Sequence, residues 1–140
     1  MQSDALSGIA AWEPRSGFSF PDDEMPEPIE NKSFFGPVKA LPMTRSAFMR
    51  LTRVPIVIYY GDYIPREPTD NPYQDYWRAA SSLAERWVAL INRLGGKASL
   101  VQLPEVGLHG NSHFPFAEKN NLDVAAFFES WLAANTPLAH

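Results

Sequence analysis

Ala98-Ser-Leu-Val-Gln-Leu-Pro-Glu-Val-Gly-Leu-His-Gly-Asn-Ser-His113 joins a short apolar run to a glycine-rich loop. Residues 98–103 have the length and apolar character of a buried strand, and a proline follows them. Beyond the loop, Asn120 and Asn121 are good N-cap residues, so we predict that the last helix begins there. Its apolar positions are Leu122, Val124, Ala125, Phe127, Phe128, Trp131 and Leu132. The stretch therefore predicts a strand–loop–helix unit with His113 on the loop.

Two earlier runs also predict strands, and an acidic residue follows each of them closely. Ser7–Trp12 is a short apolar run that ends at Glu13. Val54–Tyr60 is rich in β-branched and aromatic residues, and a glycine and then Asp62 come after it. The carboxyl ends of these two strands therefore each present a carboxylate.

A long amphipathic helix is predicted between Tyr76 and Leu94, because apolar residues recur there at helical spacing and Gly95-Gly96 ends the pattern. The stripe consists of Trp77, Ala80, Leu83, Ala84, Trp87, Leu90, Ile91 and Leu94. We assign Trp77 and Trp87, together with Trp131 of the last helix, to the core. Strands that alternate with helices indicate an α/β fold, here with about three parallel strands flanked by helices on both faces.

Residues 14–53 show no sustained periodicity, although prolines recur and acidic residues cluster near the start of the segment. A stretch of this length without secondary structure is uncommon inside a compact domain and is usually functional or disordered. Several phenylalanines make the segment too apolar for a plain linker. We expect a lid or excursion from the sheet, with a helical turn near Arg45–Leu51.

Composition limits the classes of protein to which the chain can belong. Its 140 residues suit one domain, and 45% hydrophobic with 13% aromatic residues is a globular composition. The net charge of −4 and the lack of clustered Lys or Arg argue against nucleic-acid and anionic-membrane partners. No apolar stretch has the length of a membrane span. If Met1 is the natural start, the chain also lacks a signal peptide, and we expect it in the cytoplasm.

Three polar residues at predicted strand ends could carry chemistry: Glu13, Asp62 and His113. The carboxyl ends of parallel strands line the ligand crevice of such sheets, and an acid with an imidazole makes two members of a nucleophilic triad. The residues alone favour Asp62 over Glu13 as the acid. Each acid also has a non-catalytic interpretation. Glu13 could be a solvated acid at a strand end, and Asp62 could cap a turn beside Gly61.

The other histidines and the serines give weaker indications of a functional role. His109 and His113 are four residues apart, but a glycine and an asparagine separate them, no carboxylate has helical spacing, and cysteine is absent, so we expect no metal. His109 is interpreted as a supporting or surface residue and His140 as a tail residue. No serine stands in a G-x-S-x-G elbow, and Ser112 is expected only to shape the loop.

Several motifs together resemble the carboxyl-terminal half of a group of bacterial α/β-hydrolase carboxylesterases. The resemblance covers Ser7–Gly17 and Val54–Trp131. It rests on Gly8-Ile-Ala-Ala-Trp-Glu13-Pro14, Pro55-Ile-Val-Ile-Tyr-Tyr-Gly-Asp62, Gly95-Gly-Lys97, Leu103-Pro-Glu-Val-Gly-Leu-His-Gly-Asn-Ser-His113 and Asn120-Asn121.

This resemblance implies which residues are catalytic and which parts of the domain the chain does not include. The catalytic acid of that group is a Glu directly after the strand that follows the nucleophile helix, which corresponds to Glu13, and the base corresponds to His113. It also implies a partial α/β-hydrolase fold in which residues 1–140 form the carboxyl-terminal part of one domain. The nucleophile elbow, first oxyanion loop and earlier strands would precede the position of Met1. No cofactor is implied.

Three functional interpretations follow. The first is the portion of an ester hydrolase that supplies acid and base, acts on a small ester, is inactive alone, and pairs with an N-terminal hydrolase half or with its own copies. The second is a non-catalytic half-domain that serves as a binding or assembly module. The third is an independent small α/β enzyme that uses Asp62 and His113 with a metal or water.

Overall fold

A computed structural model describes residues 6–137 of the protein. The fold is built on a three-stranded parallel sheet. The sheet has the strand order β1-β4-β5, with β1 at Ile9–Trp12, β4 at Pro55–Tyr60 and β5 at Lys97–Gln102. All three strands occur where the apolar runs predict them, and the predicted parallel arrangement is confirmed. Met1 and His140 lie outside the described residues.

The two faces of the central strand are covered by different helices. Ile56, Ile58 and Tyr60 belong to a core cluster with buried residues of α2, which spans Pro72–Arg93. Val57 and Tyr59, on the opposite face, form a second cluster with residues of α3, which spans Asn121–Asn135. Each of these strand side chains is at most 1% exposed, so β4 is apolar on both faces as a sandwiched parallel strand must be. The prediction of helices on both sides of the sheet is confirmed.

Helix α2 begins and ends on local signals. The side chain of Asn71 accepts hydrogen bonds from the backbone N–H groups of the next turn, and Pro72 occupies the first helical position. The helix therefore begins four residues before Tyr76. The apolar stripe alone predicts a start at Tyr76. Gly95 follows the last turn with φ +92°, which confirms the predicted stop.

Helix α3 begins at Asn121 as predicted, but not because an asparagine caps it. The Asn120 side chain makes no capping hydrogen bond, and its amide instead donates to the His109 carbonyl at 3.0 Å. The Asn121 amide donates to the Phe116 carbonyl at 3.1 Å. The capping prediction is wrong, since these amides bind the preceding loop. Leu122 also lies 79% exposed rather than in the apolar stripe.

The excursion at residues 14–53 contains secondary structure of its own. Strands β2 at Ser19–Pro21 and β3 at Leu41–Met43 pair in parallel, and an isolated antiparallel bridge joins Ile29 to Val38. A short helix, α1, occupies Arg45–Met49, where the sequence predicts a helical turn.

This excursion is packed against α2. Its buried apolar side chains share one cluster with β4 and α2; they are Phe18, Phe20, Ile29, Val38 and Phe48. The indole N–H of Trp87 donates to the Ser19 carbonyl at 3.0 Å. The carboxylate of Asp75 accepts from the Lys32 N–H at 2.8 Å and pairs with Arg78 at 2.6 Å. The segment therefore contributes to the core, and its role as a lid stays a prediction.

Candidate functional site

The carboxyl edge of the sheet brings two of the three predicted residues into contact. Glu13 directly follows β1, and His113 lies on the loop after β5. The His113 Nδ1 atom hydrogen-bonds to Glu13 Oε2, although the two residues are 100 positions apart in the chain. The Glu13 side chain is 3% exposed and that of His113 is 48% exposed. A buried carboxylate therefore orients an imidazole that is about half exposed to solvent.

Asp62 lies nearby but serves the loop instead of the imidazole. Its Oδ2 accepts from the Gly110 N–H at 2.9 Å, and its Oδ1 accepts from the Asn111 N–H at 3.4 Å. Its own N–H donates to the Asn111 carbonyl at 2.8 Å. Asp62 thus fastens the His113 loop to the end of β4, and it makes no hydrogen bond to His113.

The backbone at Glu13 is strained. Its φ is +46°, in the left-handed region that non-glycine residues seldom adopt and that costs about 1–3 kcal/mol. Its N–H donates to the Tyr59 carbonyl at 2.8 Å, and the Tyr60 hydroxyl donates to the Pro14 carbonyl at 2.9 Å. Neighbouring groups therefore hold a conformation that turns the carboxylate inward, as is common at functional sites.

Gly61 completes the carboxylate's environment. Its N–H donates to Glu13 Oε1 at 2.5 Å, so both carboxylate oxygens are engaged. A Cβ added at Gly61 would lie 2.5 Å from the Asn111 carbonyl oxygen and 2.9 Å from Glu13 Oε1. Only glycine allows the end of β4 to approach both the acid and the loop this closely.

The far side of the loop is held by Ser112. Its hydroxyl donates to a Glu118 oxygen, and its backbone N–H donates to the same atom at 3.2 Å. The hydrogen bond from Ser112 lowers the pKa of the Glu118 carboxyl below its usual value. Within residues 6–137 no serine hydroxyl hydrogen-bonds to His113, so the second imidazole nitrogen has no such partner. Ser112 shapes the loop as predicted.

Trp77 packs against the core cluster of α2 and β4, as the sequence predicts, and it also belongs to this site, which the sequence did not predict. Its ring stacks on the His113 ring with centroids 4.1 Å apart and planes 28° from parallel. The reason is topological: the first turns of α2 lie beside the carboxyl edge of the sheet. The position of Trp77 near the start of the helix that follows β4 is the signal that could have revealed it. Trp87 and Trp131 pack against the two core clusters as assigned.

A cleft of about 500 Å³ opens beside the Glu13–His113 pair. Its walls are mostly aromatic, formed by Trp12, Phe35, Tyr73, Tyr76, Trp77 and Phe114, with Arg15 at the wall. Ligand sites of this kind combine apolar walls with few polar groups. The arrangement can hold an apolar small molecule against a carboxylate–imidazole pair.

Within residues 6–137, no group of three or more His, Cys, Asp or Glu side chains is placed to hold a metal ion. No helix in the described part of the chain is long and apolar enough to cross a membrane.

The chain was compared with family models, curated proteins and solved structures, and solved structures alone gave matches. No protein-family model and no curated protein matches the chain. Among solved structures, it is similar to a novel bacterial esterase with 33% sequence identity and a TM-score of 0.54 over 62% of this chain. The chain spans 25% of the length of that esterase. The likeness supports an esterase-like fold for the parallel sheet and its helices.

Proposed function

We propose that this chain supplies the acid and the base of a serine-type carboxylic ester hydrolase, with Glu13 as the acid and His113 as the base. The observation that carries the proposal is the contact between buried Glu13 and half-exposed His113 at an aromatic cleft. The similarity to a bacterial esterase supports it.

In this proposal, each nitrogen of the His113 ring has a separate task. Glu13 accepts a hydrogen bond from Nδ1–H, which leaves Nε2 of the neutral ring as a proton acceptor. Nε2 takes the proton of a serine hydroxyl as its oxygen attacks the ester carbonyl, and then gives that proton to the leaving alcohol. Water repeats the sequence on the acyl-serine and releases the carboxylic acid. The Glu13 carboxylate, held by the Gly61 N–H, stabilises the imidazolium at each stage.

The nucleophile is the part of this proposal that the chain does not contain. No G-x-S-x-G elbow occurs in residues 1–140. We propose that the serine comes from sequence equivalent to the remainder of the bacterial esterase, of which this chain spans 25%. Within the described residues β1 pairs with β4 alone, so its outer edge is available to a further strand.

We expect the chain alone to show no serine-hydrolase activity, because acid and base without a nucleophile retain little catalysis. The purified chain should not react with a fluorophosphonate probe or turn over a short-chain p-nitrophenyl ester. A chimera in which this chain replaces the matching quarter of the bacterial esterase should do both. Stoichiometric labelling of a serine in the chain alone, with turnover, would contradict the proposal.

The second candidate function is a non-catalytic half-domain that serves as an assembly module. The observation that favours it is the outer edge of β1, which is unpaired within residues 6–137 and lies beside a cavity of about 390 Å³. The cavity is lined by Ser7, Gly8, Ala10, Phe128, Trp131, Leu132 and Thr136. The third interpretation, Asp62 with His113, finds no support, because Asp62 is engaged by the loop backbone.

We expect the isolated chain to self-associate, because an unpaired apolar strand edge exposes N–H and C=O groups that favour pairing with another strand. Light scattering after size exclusion, from micromolar concentration upward, should show a mass above that of the monomer. The assembly module would be favoured if the isolated chain formed one discrete oligomer and the chimera showed no catalysis. A monomer at every concentration, with a cooperative thermal transition, would show that the β1 edge needs no partner.

A further inference from the structure

Arg15 occupies an unusual position in the aromatic cleft. Its guanidinium carbon lies 5.1 Å from the centroid of the Phe35 ring and 5.2 Å from that of the Tyr76 ring. The side chain is exposed, and within residues 6–137 it forms no ion pair. Arg45 and Arg78, by contrast, pair with carboxylates. Two rings thus hold a positive charge at the cleft without neutralising it.

The remaining residues of the cleft leave this charge uncompensated. The other charged residue of the cleft wall is Glu13, which is buried and already engaged by His113 and Gly61. The rest of the lining is mostly aromatic. Apolar walls of low dielectric strengthen the attraction between Arg15 and an anion that enters the cleft. A guanidinium also offers paired N–H donors that match a carboxylate.

The order of contacts along the wall defines the shape of a suitable ligand. His113 stacks on Trp77, and the Trp77 ring contacts Tyr76 with centroids 6.2 Å apart. Arg15 in turn lies over Tyr76. An aromatic surface therefore separates the imidazole from the guanidinium. A ligand that uses the whole wall has its ester at His113, a flat apolar part on the rings and an anionic group at Arg15.

We propose that this cleft selects esters that carry an aromatic group and a carboxylate, and that Arg15 determines this specificity. The identity of the reacting group rests on the proposed hydrolase function, whereas the binding of an aromatic carboxylate does not. Arg15 is two residues from Glu13, and the hydrogen bond from Tyr60 to the Pro14 carbonyl fixes the backbone between them.

The binding test uses the chain alone, because the cleft lies within it and includes two tryptophans, Trp12 and Trp77. Tryptophan fluorescence is titrated with 3-phenylpropionate and with its neutral analogue 3-phenylpropionamide. We expect the acid to bind about fivefold more tightly than the amide, which is the upper range for an ion pair with an exposed partner. Arg15→Met should abolish the difference, and Arg15→Lys should retain part of it. Arg53→Met, another exposed arginine with no ion pair among the described residues, is the matched control.

Each outcome bears on the proposal. Equal affinity for acid and amide in the unmodified chain, no binding of either, or an equal loss in Arg53→Met would overturn it. A preference for the acid that only the Arg15 variants lose supports it. Because binding needs no serine, an inactive chimera would count against the hydrolase function and leave this result unaffected. An active chimera that treats neutral and carboxylate-bearing aryl esters alike, with and without Arg15, would overturn the specificity alone.

Discussion

Replacing Glu13 by Gln is expected to reduce kcat about 10³–10⁴-fold in the esterase chimera, as it does for the orienting acids of nucleophilic triads. A glutamine amide would donate to His113 Nδ1, so the proton of the neutral ring would move to Nε2, the atom that must accept the proton of the serine. The amide would also not stabilise the imidazolium. The measurement is steady-state hydrolysis of a p-nitrophenyl ester.

Asp62→Asn is the matched control, because it makes the same chemical change at the other strand-end acid. The Asp62 carboxylate binds loop N–H groups and not the imidazole, so we expect a far smaller loss of kcat. If Asp62→Asn greatly reduces kcat and Glu13→Gln leaves it nearly unchanged, the assignment of Glu13 as the acid is wrong.

A spectroscopic measurement makes this prediction independent of the chimera. In the isolated chain at a pH where an imidazole is neutral, nitrogen-15 NMR should show His113 with its proton on Nδ1. Glu13→Gln should shift the proton towards Nε2, and Asp62→Asn should not. An unchanged tautomer in Glu13→Gln would contradict the proposed role of the carboxylate.

Phe48→Ala is expected to lower the free energy of unfolding by about 3–5 kcal/mol, the usual cost of removing a large buried aromatic side chain. Phe48 is 0% exposed, belongs to the excursion at residues 14–53, and shares a core cluster with β4 and α2. The reason is that its removal leaves a cavity where the excursion meets the rest of the protein. Urea denaturation at low protein concentration measures the change.

Phe34→Ala is the control for this experiment, because Phe34 lies in the same excursion but is 82% exposed. A surface substitution of this kind usually changes stability by no more than about 0.5 kcal/mol. Similar small effects of the two variants would mean that the excursion opens as a unit without disturbing the core, which is the behaviour of a lid. A large effect of Phe48→Ala alone would identify the excursion as part of the core.

Local patterns account for most of the fold. The three strands, α2 and α3 lie close to their predicted positions, because apolar periodicity and stop signals such as Gly95 are properties of short stretches of chain. The parallel arrangement follows from the alternation of strands and helices. One error occurs where a polar side chain had a choice of partners: Asn120 binds the His109 carbonyl instead of capping α3.

The arrangement of the site follows from both the sequence and the tertiary structure. By itself the sequence determined that Glu13, Asp62 and His113 lie at strand ends, because the position of a residue along a strand is a local property. The resemblance to esterases singled out Glu13, but reasoning from the residues alone favoured Asp62. Only the tertiary structure decided which acid contacts the imidazole, because that contact joins residues 100 positions apart and depends on a strained φ at Glu13 and the absence of a side chain at Gly61.

The same distinction explains the cleft and the excursion. The sequence determined that Trp77 lies on an apolar helical stripe and that residues 14–53 are rich in phenylalanine. Only the tertiary structure decided that Trp77 stacks on His113 and that Phe48 is buried against α2 and β4. The physical reason is that hydrophobicity determines that a side chain avoids water but not which surface covers it, and that surface is set by long-range packing.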